Sequence, residues 1–311
     1  MKKIGAIVFA CSLAIILVAC AKPGAGDLAQ VGDQVIGRAD FDNLLSLYRK
    51  MPKKEGKGSE EDSDDLGKRL LDNLVWEAMV REDCQHLGID ERRVYEEKKR
   101  EAIQQFGNEE GLQSQLKSLK ISPEAFEESL HQEALTQAHR EWIAKEGTPS
   151  EEDLRTYYDK HPDDRILLDI QEAWVPTRKE AETIAQSWKE GKDLTSYHIL
   201  NEDPFEKTGY QEFKNIGIRD DRLVSRKVFT QDVETAEVYP KEGIYYVVYV
   251  RQKQEDYDLV KPYILGLYEE DHYRVYMEKL AKDLNVRIYY EALPDLSAGQ
   301  TESNQETSKE K

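Results

Sequence analysis

Two Glu-x-x-His pairs are the residues of this sequence whose spacing could bind a metal ion. They are Glu128 with His131, and Glu269 with His272. On a helix, residues three apart share a face, and two such pairs pointing into a helix bundle are the ligand pattern of di-iron carboxylate sites. The positions of the apolar residues argue against a metal site. Glu128 lies off the apolar stripe of its segment, whereas His272 lies on the apolar stripe of its own segment and is expected to be a packing residue. We therefore expect no metal site and no bound cofactor.

The other histidines and cysteines indicate no enzyme chemistry either. His161 and His198 lie in loop-like sequence, and no Ser-His-Asp arrangement, phosphate-binding loop or dinucleotide fingerprint occurs at usable spacing. Cys84 falls within a helical pattern without a paired cysteine, which predicts a small packing residue. The formal net charge is -18 and nothing in the sequence resembles the basic stripe that is typical of nucleic-acid binding, so no nucleic-acid partner is expected.

The positions of apolar residues predict a mainly helical first half of the chain. A strand–turn–strand pattern lies near residues 31–36 and is followed by helices up to residue 160. Ser122 is a helix cap with Pro123 in the first helical position, and Ser150 with Asp153 resembles a capping box. These local signals define where the longest predicted helices begin.

The pattern changes after residue 160 and predicts an inserted domain. Residues 166–252 alternate as strands around one helix, which indicates a small α/β domain. Residues 255–293 return to a helix and end in a short strand. An isolated hairpin is marginally stable, so we expect this strand and the N-terminal hairpin to close one helical domain, 31–160 with 255–293. The expected fold class is α+β, mainly α, and the polar residues 294–311 are expected to be a disordered tail.

The pattern of the N-terminal residues predicts an export signal. Ile4–Ala19 carries no charge, follows two lysines and is too short to cross a bilayer comfortably, which is typical of a signal peptide, residues 1–19. Leu17–Cys20 resembles the lipobox of bacterial lipoproteins, in which the cysteine sulfur carries a diacylglycerol. That resemblance implies lipidation of Cys20, membrane anchoring by two acyl chains and a tether at residues 20–30. The alternative is an uncleaved membrane helix.

Three phrases in residues 29–160 resemble one protein family. "VGDQVIGRADFDNLL", "RLLDNLVWEAMVREDCQHLGID" and "FGNEEGLQSQLKSLKISPEAFEESL" follow in the order seen in SurA/PrsA-type extracytoplasmic folding factors. A parvulin-type peptidyl-prolyl isomerase domain commonly follows in that family. "IQEAWVPTRKEAETIAQSWKEGKDLTSY" and "AEVYPKEGIYYVVYVRQ" are similar to the beginning and end of such a domain. The resemblance implies a SurA N-terminal-like chaperone domain and a degenerate parvulin-like domain at residues 166–252.

The catalytic pattern of the parvulins is not kept. Alignment of the first strand puts Glu172 where the family has one histidine, and alignment of the last strand puts Tyr245 at the second. Gly209 and Gly217 are the candidate remnants of the usual glycine-rich turn. The resemblance therefore marks Glu172 and Tyr245 as pocket positions, without a confident catalytic residue, and implies weak or absent isomerase activity.

The resemblance implies a lipid-anchored chaperone or foldase that binds unfolded or nascent secreted polypeptides without ATP. It would act at the outer face of the cytoplasmic membrane or in the periplasm. Whether it forms a dimer is left open by the sequence. Four aromatic residues are the predicted client contacts, although the same residues could equally belong to the core: Phe126, Trp142, Tyr157 and Tyr158. Two alternatives remain, an active parvulin-type isomerase and a surface lipoprotein that docks one specific partner.

Overall fold

The computed structural model describes residues 24, 26–50, 63–192, 208–294 and 296. The predicted signal peptide, Cys20 and His198 lie outside the described residues, as do residues 297–311 of the predicted tail. Within the described ranges, every helix falls short of the combined length and apolar character that a bilayer-spanning segment needs.

The helices and strands confirm the predicted fold class, α+β and mainly α. The helices are α1 (Arg38–Lys50), α2 (Ser63–Leu87), α3 (Arg92–Gln105), α4 (Glu109–Ser118), α5 (Pro123–Glu146), α6 (Glu151–Lys160), α7 (Arg178–Lys189) and α8 (Tyr257–Asp283). The strands are β1 (Asp27–Val31), β2 (Gln34–Gly37), β3 (Leu167–Val175), β4 (Gly209–Gly217), β5 (Ala236–Lys241), β6 (Ile244–Gln254) and β7 (Arg287–Ile288).

The chain divides into two compact units. Unit 1 comprises Met1–Gly147 and His272–Lys311, and unit 2 comprises Thr148–Asp271. The sequence had placed α6 and all of α8 with the helical domain, whereas α6 and the first half of α8 belong to unit 2. The reason is packing, because α6, β3 and the first half of α8 share one apolar cluster: Leu154, Tyr157, Leu167, Val260, Ile264 and Leu267.

Unit 1 joins the two ends of the chain in one sheet. Its strand order is β2-β1-β7, with both pairs antiparallel, and Ala29 lies opposite Ile288. The Gly32 N–H donates to the Leu284 carbonyl at 2.8 Å, which fixes the end of α8 beside the hairpin. The third strand that the marginal hairpin requires is therefore the last strand of the chain, as the sequence predicted.

The helices of unit 1 bury one main apolar core beneath this sheet. Its largest fully buried side chains come from β1, α1, α2 and α8: Leu28, Phe41, Leu71, Met79 and Met277. Cys84 is a free cysteine buried in the same core, and burial raises the pKa of its thiol to about 12. The prediction that Cys84 is a packing residue is confirmed.

Two helices begin where their local sequence signals predicted. The Ser122 side chain accepts a hydrogen bond from the Ala125 N–H at 3.1 Å, and Pro123 occupies the first position of α5. Ser150 and Asp153 form both hydrogen bonds of a capping box at the start of α6. Capping satisfies N–H groups that have no partner within the helix, so these starts depend on sequence neighbours alone.

Unit 2 contains a four-stranded antiparallel sheet of order β4-β3-β6-β5. One face packs against α7 through a cluster that includes Ala173, Val175 and Trp188. The opposite face packs against the segment 223–229 through a cluster that includes Ile170, Val228 and Val248. The two faces alternate residue by residue along β3 and β6, which decides the geometry of the candidate site.

The tail predicted from residue 294 starts later than expected. Leu296 is only 7% exposed and belongs to the core of unit 1, next to the partly buried Leu293. A single leucine in a polar stretch shows no periodicity, so the sequence pattern could not reveal that it packs. The predicted boundary at residue 294 is therefore wrong.

Candidate functional site

Glu172 and Tyr245 lie on opposite faces of the unit 2 sheet. Glu172 is paired with Val248, on the face that packs against residues 223–229. Tyr245 is paired with Val175, on the face that packs against α7. Because successive side chains of a strand point to opposite faces, these two residues cannot line one pocket. The prediction that they do is wrong, and Tyr246 is the residue that shares a face with Glu172.

Glu172 has a buried carboxyl group, and one of its two oxygens has no hydrogen-bond partner among the described residues. Its side chain is 1% exposed, and Gln211 on β4 donates from Nε2 to Oε1 at 2.7 Å. Oε2 is buried and has no hydrogen-bond partner among the described residues. Burying an acceptor without a partner is costly, and the cost is largest for the charged form.

The surroundings of Glu172 keep it neutral up to a higher pH than an exposed glutamate. Burial raises the pKa of Glu172 to about 7, against the lowering effects of the Gln211 hydrogen bond and the Lys241 charge. Burial, and next the negative charge of Glu172, raises the pKa of Tyr246. Trp174 lies on the same face, and the centroid of its ring is 6.4 Å from the centroid of the Tyr246 ring. The face therefore combines a titratable carboxyl group with two aromatic rings.

The strands of the unit 2 sheet carry no histidine among the described residues. On the face of Glu172, no described side chain donates to its Oε2, and Gln211 donates only to Oε1. The face can accept a hydrogen bond through Oε2 and can take up a proton near neutral pH.

Gly209 and Gly217 are strand residues, so their interpretation as remnants of a catalytic turn is wrong. They are the first and last residues of β4. A Cβ atom at Gly217 would lie 2.0 Å from the hydroxyl oxygen of Tyr263 on α8. Gly217 is therefore required for the close approach of that ring, since no side chain fits in its place.

Tyr157 and Tyr158, two predicted client contacts, are held within unit 2 by hydrogen bonds from their hydroxyl groups. Tyr157 is 8% exposed, and its hydroxyl donates to Asp271 Oδ2 at 2.5 Å. The Tyr158 hydroxyl donates to the Glu255 carbonyl at 2.8 Å. Arg219 joins Tyr157 to buried Asp164, so these contacts tie α6 to its neighbours. Tyr157 is a core residue and presents little surface to a client.

Phe126 and Trp142, the other two predicted contacts, lie on α5 in unit 1 and are half-buried. Trp142 packs against the main core of that unit. The four aromatic residues are thus divided between the two units, with Tyr157 and Tyr158 on α6 of unit 2. They do not form one continuous contact surface within either unit.

The two Glu-x-x-His pairs do not converge. His131 stacks on Tyr95 with ring centroids 4.1 Å apart, and its Nδ1 lies 3.6 Å from Glu91 Oε1. His272 lies against Gly147, where a Cβ atom would come within 2.3 Å of its Nε2. Among the described residues, no group of three or more His, Cys, Asp or Glu side chains is arranged to hold a metal ion.

A buried polar network in unit 1 was not anticipated from the sequence. His139 is fully buried on α5, with Nε2 at 2.9 Å from Asp83 Oδ2 and Nδ1 at 2.8 Å from the Tyr273 hydroxyl. The Tyr276 hydroxyl donates to the same Asp83 oxygen at 2.7 Å. Burial lowers the pKa of His139. The network joins α2, α5 and α8, and its one sequence signal is a histidine next to the apolar stripe through Ala138.

A shallow concavity lies along α1 in unit 1. Its volume is ≈ 370 Å³, and its lining includes Asp42, Leu45, Ser46 and Arg49. Val35 on β2 and Tyr48 on α1 are exposed large apolar residues of the same unit, at 49% and 38%. Mixed polar and apolar surface of this kind suits weak contact with a polypeptide more than enclosure of a small molecule.

Residues 2–140 match the family described as the SurA-like N-terminal domain. This segment, less than half of the chain, is similar to the SurA-like N-terminal domain. The match spans the three sequence phrases that carry the resemblance, and it confirms the predicted relationship to SurA-type folding factors. No curated protein matches the chain.

Several solved structures are similar to this chain at low sequence identity. One belongs to the work on PEB4 and Cj1289, SurA-like chaperones of Campylobacter jejuni, with 16% identity, 85% of this chain and 99% of that chain covered, and a TM-score of 0.43. The foldase PrsA of Streptococcus pneumoniae has 17% identity, coverage of 86% and 96%, and a TM-score of 0.38. PrsA of Bacillus subtilis has 16% identity, coverage of 83% and 93%, and a TM-score of 0.30. The similarity to SurA-like proteins therefore rests on the match over residues 2–140.

Proposed function

We propose that this protein is a lipid-anchored extracytoplasmic chaperone or foldase that binds unfolded secreted polypeptides without ATP. The observation that carries the proposal is the SurA-like N-terminal domain at residues 2–140. The exposed apolar residues and the α1 concavity of unit 1 support weak binding of unfolded chains. The net charge of -18 keeps bound clients apart from one another and favours basic clients.

The leader sequence supports a position at the membrane. An uncharged stretch that ends at Leu17–Cys20 would direct export, and a diacylglycerol on Cys20 would hold the protein at the outer face of the membrane. An anchored binder at that location would meet secreted chains before they fold.

We propose that residues 166–252 are a degenerate parvulin-like domain with weak or absent isomerase activity. The family alignment that places Glu172 at a histidine position supports this, and in the structure its carboxyl group is buried and Tyr245 faces away from it. An enzyme that lowers the barrier of about 18–20 kcal/mol to rotation of an X-Pro bond needs a pocket shaped around that bond. We expect no acceleration of proline-limited refolding of a model protein, and a clear acceleration would favour the isomerase alternative.

Suppression of client aggregation tests the chaperone proposal. A chemically unfolded client is diluted into buffer with and without the mature protein, and light scattering is followed. We expect suppression near stoichiometric ratios that is unchanged when nucleotide is removed enzymatically. An unrelated acidic protein of similar charge is the control, because it separates specific binding from charge repulsion. Absence of suppression at several-fold excess would contradict the proposal, and capture of one partner alone would favour the docking alternative.

Mass spectrometry of the membrane fraction tests the anchor. We expect the mature N-terminus to be an acylated Cys20 and the Cys20→Ser variant to lose the acyl mass. Cys11→Ser is the matched control, because Cys11 lies in the segment that is removed and its substitution leaves the acylated product unchanged. An uncleaved N-terminus without acylation would establish the membrane-helix alternative.

A further inference from the structure

The last described residues of the chain lie across the core of unit 1. Tyr289, directly after β7, donates its N–H to the Leu28 carbonyl at 2.9 Å. The chain then makes a single 3₁₀ turn, Tyr290–Ala292, and continues in an extended conformation at Leu293. Leu293 and Leu296 both join the apolar core of the unit. Residues 289–294 with 296 are called the terminal segment below.

Gly67 of α2 lies against the two leucines. A Cβ atom at Gly67 would lie 3.5 Å from Leu296 Cδ1, 3.7 Å from Leu293 Cδ1 and 4.0 Å from Phe41 Cζ. These are ordinary van der Waals distances, so a methyl group would fit at this position, whereas a larger side chain would occupy the space of the leucines. Gly67 and Phe41 thus border an apolar recess that the two leucine side chains fill, called the Gly67 recess.

The terminal segment follows the last helix and the last described strand of unit 1. α8 ends at Asp283 and β7 at Ile288, so both elements precede the segment. Apart from its apolar contacts, the segment is held by the Tyr289 N–H bond to the Leu28 carbonyl and by the Tyr290 hydroxyl, which donates to Asp72 Oδ1 at 2.6 Å; Tyr290 is 38% exposed. Burial raises the pKa of Asp72. Release of the segment would expose the recess and return Asp72 to water.

We propose that the Gly67 recess is a docking site for short apolar segments of unfolded clients, and that Leu293 and Leu296 fill it until a client displaces them. This inference rests on the proposed chaperone function. The partner it fits is an extended peptide with two leucine-sized side chains three positions apart, because the segment seated there has that chemistry. A terminal segment that a client can displace would keep the apolar surface of the recess covered when no client is present.

A labelled peptide tests the site independently of any client. The probe is a fluorescent peptide with the sequence of residues 288–298, "IYYEALPDLSA". Two mature variants open the recess, a chain that ends at Ala292 and the full-length Leu293→Ser/Leu296→Ser double variant. A chain that ends at Ala298 is the matched control, because it is shortened but keeps both leucines. Leu259→Ser, at a leucine of unit 2 that is 59% exposed, controls for loss of a leucine elsewhere.

We expect both opened variants to bind the peptide at least tenfold more tightly than wild type and the two controls. Adding Gly67→Leu to the double variant should abolish that gain, because the new side chain fills the recess. Circular dichroism checks that each variant keeps its helices. No tighter binding by a folded opened variant would overturn the proposal.

The client assay separates this inference from the proposed function. If the recess is a client site, the opened variants suppress aggregation at lower concentration than wild type, and the peptide competes with the client. Suppression by wild type without any gain in the opened variants would overturn the inference and leave the chaperone function standing. Absence of suppression by all variants would overturn the chaperone function, and with it the assignment of clients to the recess.

Discussion

The substitution Glu172→Gln should stabilise unit 2 at alkaline pH and have little effect at acidic pH. The pKa of Glu172 is raised from 4.5 to about 7 by burial. The folded unit therefore holds a proton that the unfolded chain releases between those values, so the stability of wild type falls as pH rises through this window. The glutamine variant has no such proton to lose.

The magnitude follows from the size of the pKa difference. About 2.5 pKa units correspond to about 3 kcal/mol of unfolding free energy, since one unit is worth about 1.4 kcal/mol. At pH 8 nearly all of that difference separates the glutamine variant from wild type. At pH 5 the difference falls below about 1 kcal/mol, because both proteins then carry a neutral group.

Hydrogen exchange of amides in β3 and β6 measures this stability for unit 2 alone. Wild type and variant are compared at the same pH, so that the intrinsic exchange rates cancel. Glu212→Gln on β4 is the matched control, because this exposed carboxyl group has a pKa lowered by hydrogen bonds from Tyr210 and Gln171. It should not be stabilised at pH 8. An equal effect of Glu172→Gln at pH 5 and pH 8, or lower stability of that variant at pH 8, would refute the reasoning.

Three further substitutions test contacts in the two units. Gly217→Ala should destabilise unit 2 by about 1–3 kcal/mol in urea unfolding, because the new Cβ collides with the Tyr263 ring. His139→Leu should destabilise unit 1 by about 2–4 kcal/mol, because the buried Asp83 loses a hydrogen-bond partner. In wild type the lowered pKa of His139 predicts that unit 1 loses stability as pH falls below about 6.5, where the unfolded chain takes up the proton. Tyr157→Phe should lower the stability of unit 2 by about 1 kcal/mol and leave client suppression unchanged.

Each of these results has a clear opposite. A Gly217→Ala protein as stable as wild type would show that β4 and α8 can move apart at no cost. If the His139→Leu variant keeps the acid sensitivity of unit 1, another group is responsible for it. If the Tyr157→Phe variant stays folded at the assay temperature but no longer suppresses client aggregation, Tyr157 contacts the client.

The local features of the fold were accessible from the sequence. The starts of α5 and α6 depend on caps formed by neighbours in the chain, Ser122 and the Ser150–Asp153 pair, so a reading of the sequence predicts them. The pairing of the chain ends followed from a different argument, because a hairpin without a third strand is marginal. The family phrases in residues 29–160 predicted the similarity to the SurA-like N-terminal domain, which the match over residues 2–140 supports.

The candidate sites depend on contacts that no local pattern encodes. An alignment to a family motif is uncertain by one residue, and one residue moves a strand side chain to the other face of the sheet. Tyr245 therefore follows from the family alignment, whereas Tyr246 lies on the face of Glu172 in the structure. Asp83 and His139 are 56 positions apart and meet only because α2 packs against α5.

By itself, the sequence determined the fold class and the order of the described helices and strands, because periodicity, capping and composition act over a few residues; the export signal at the N-terminus stays a prediction. Only the tertiary structure decided which carboxyl group is buried, which glycine faces a ring and what covers the Gly67 recess. Those properties arise from the close approach of distant segments such as α2 and Leu296, and the packing of such segments has no signature in the spacing of residues along the chain.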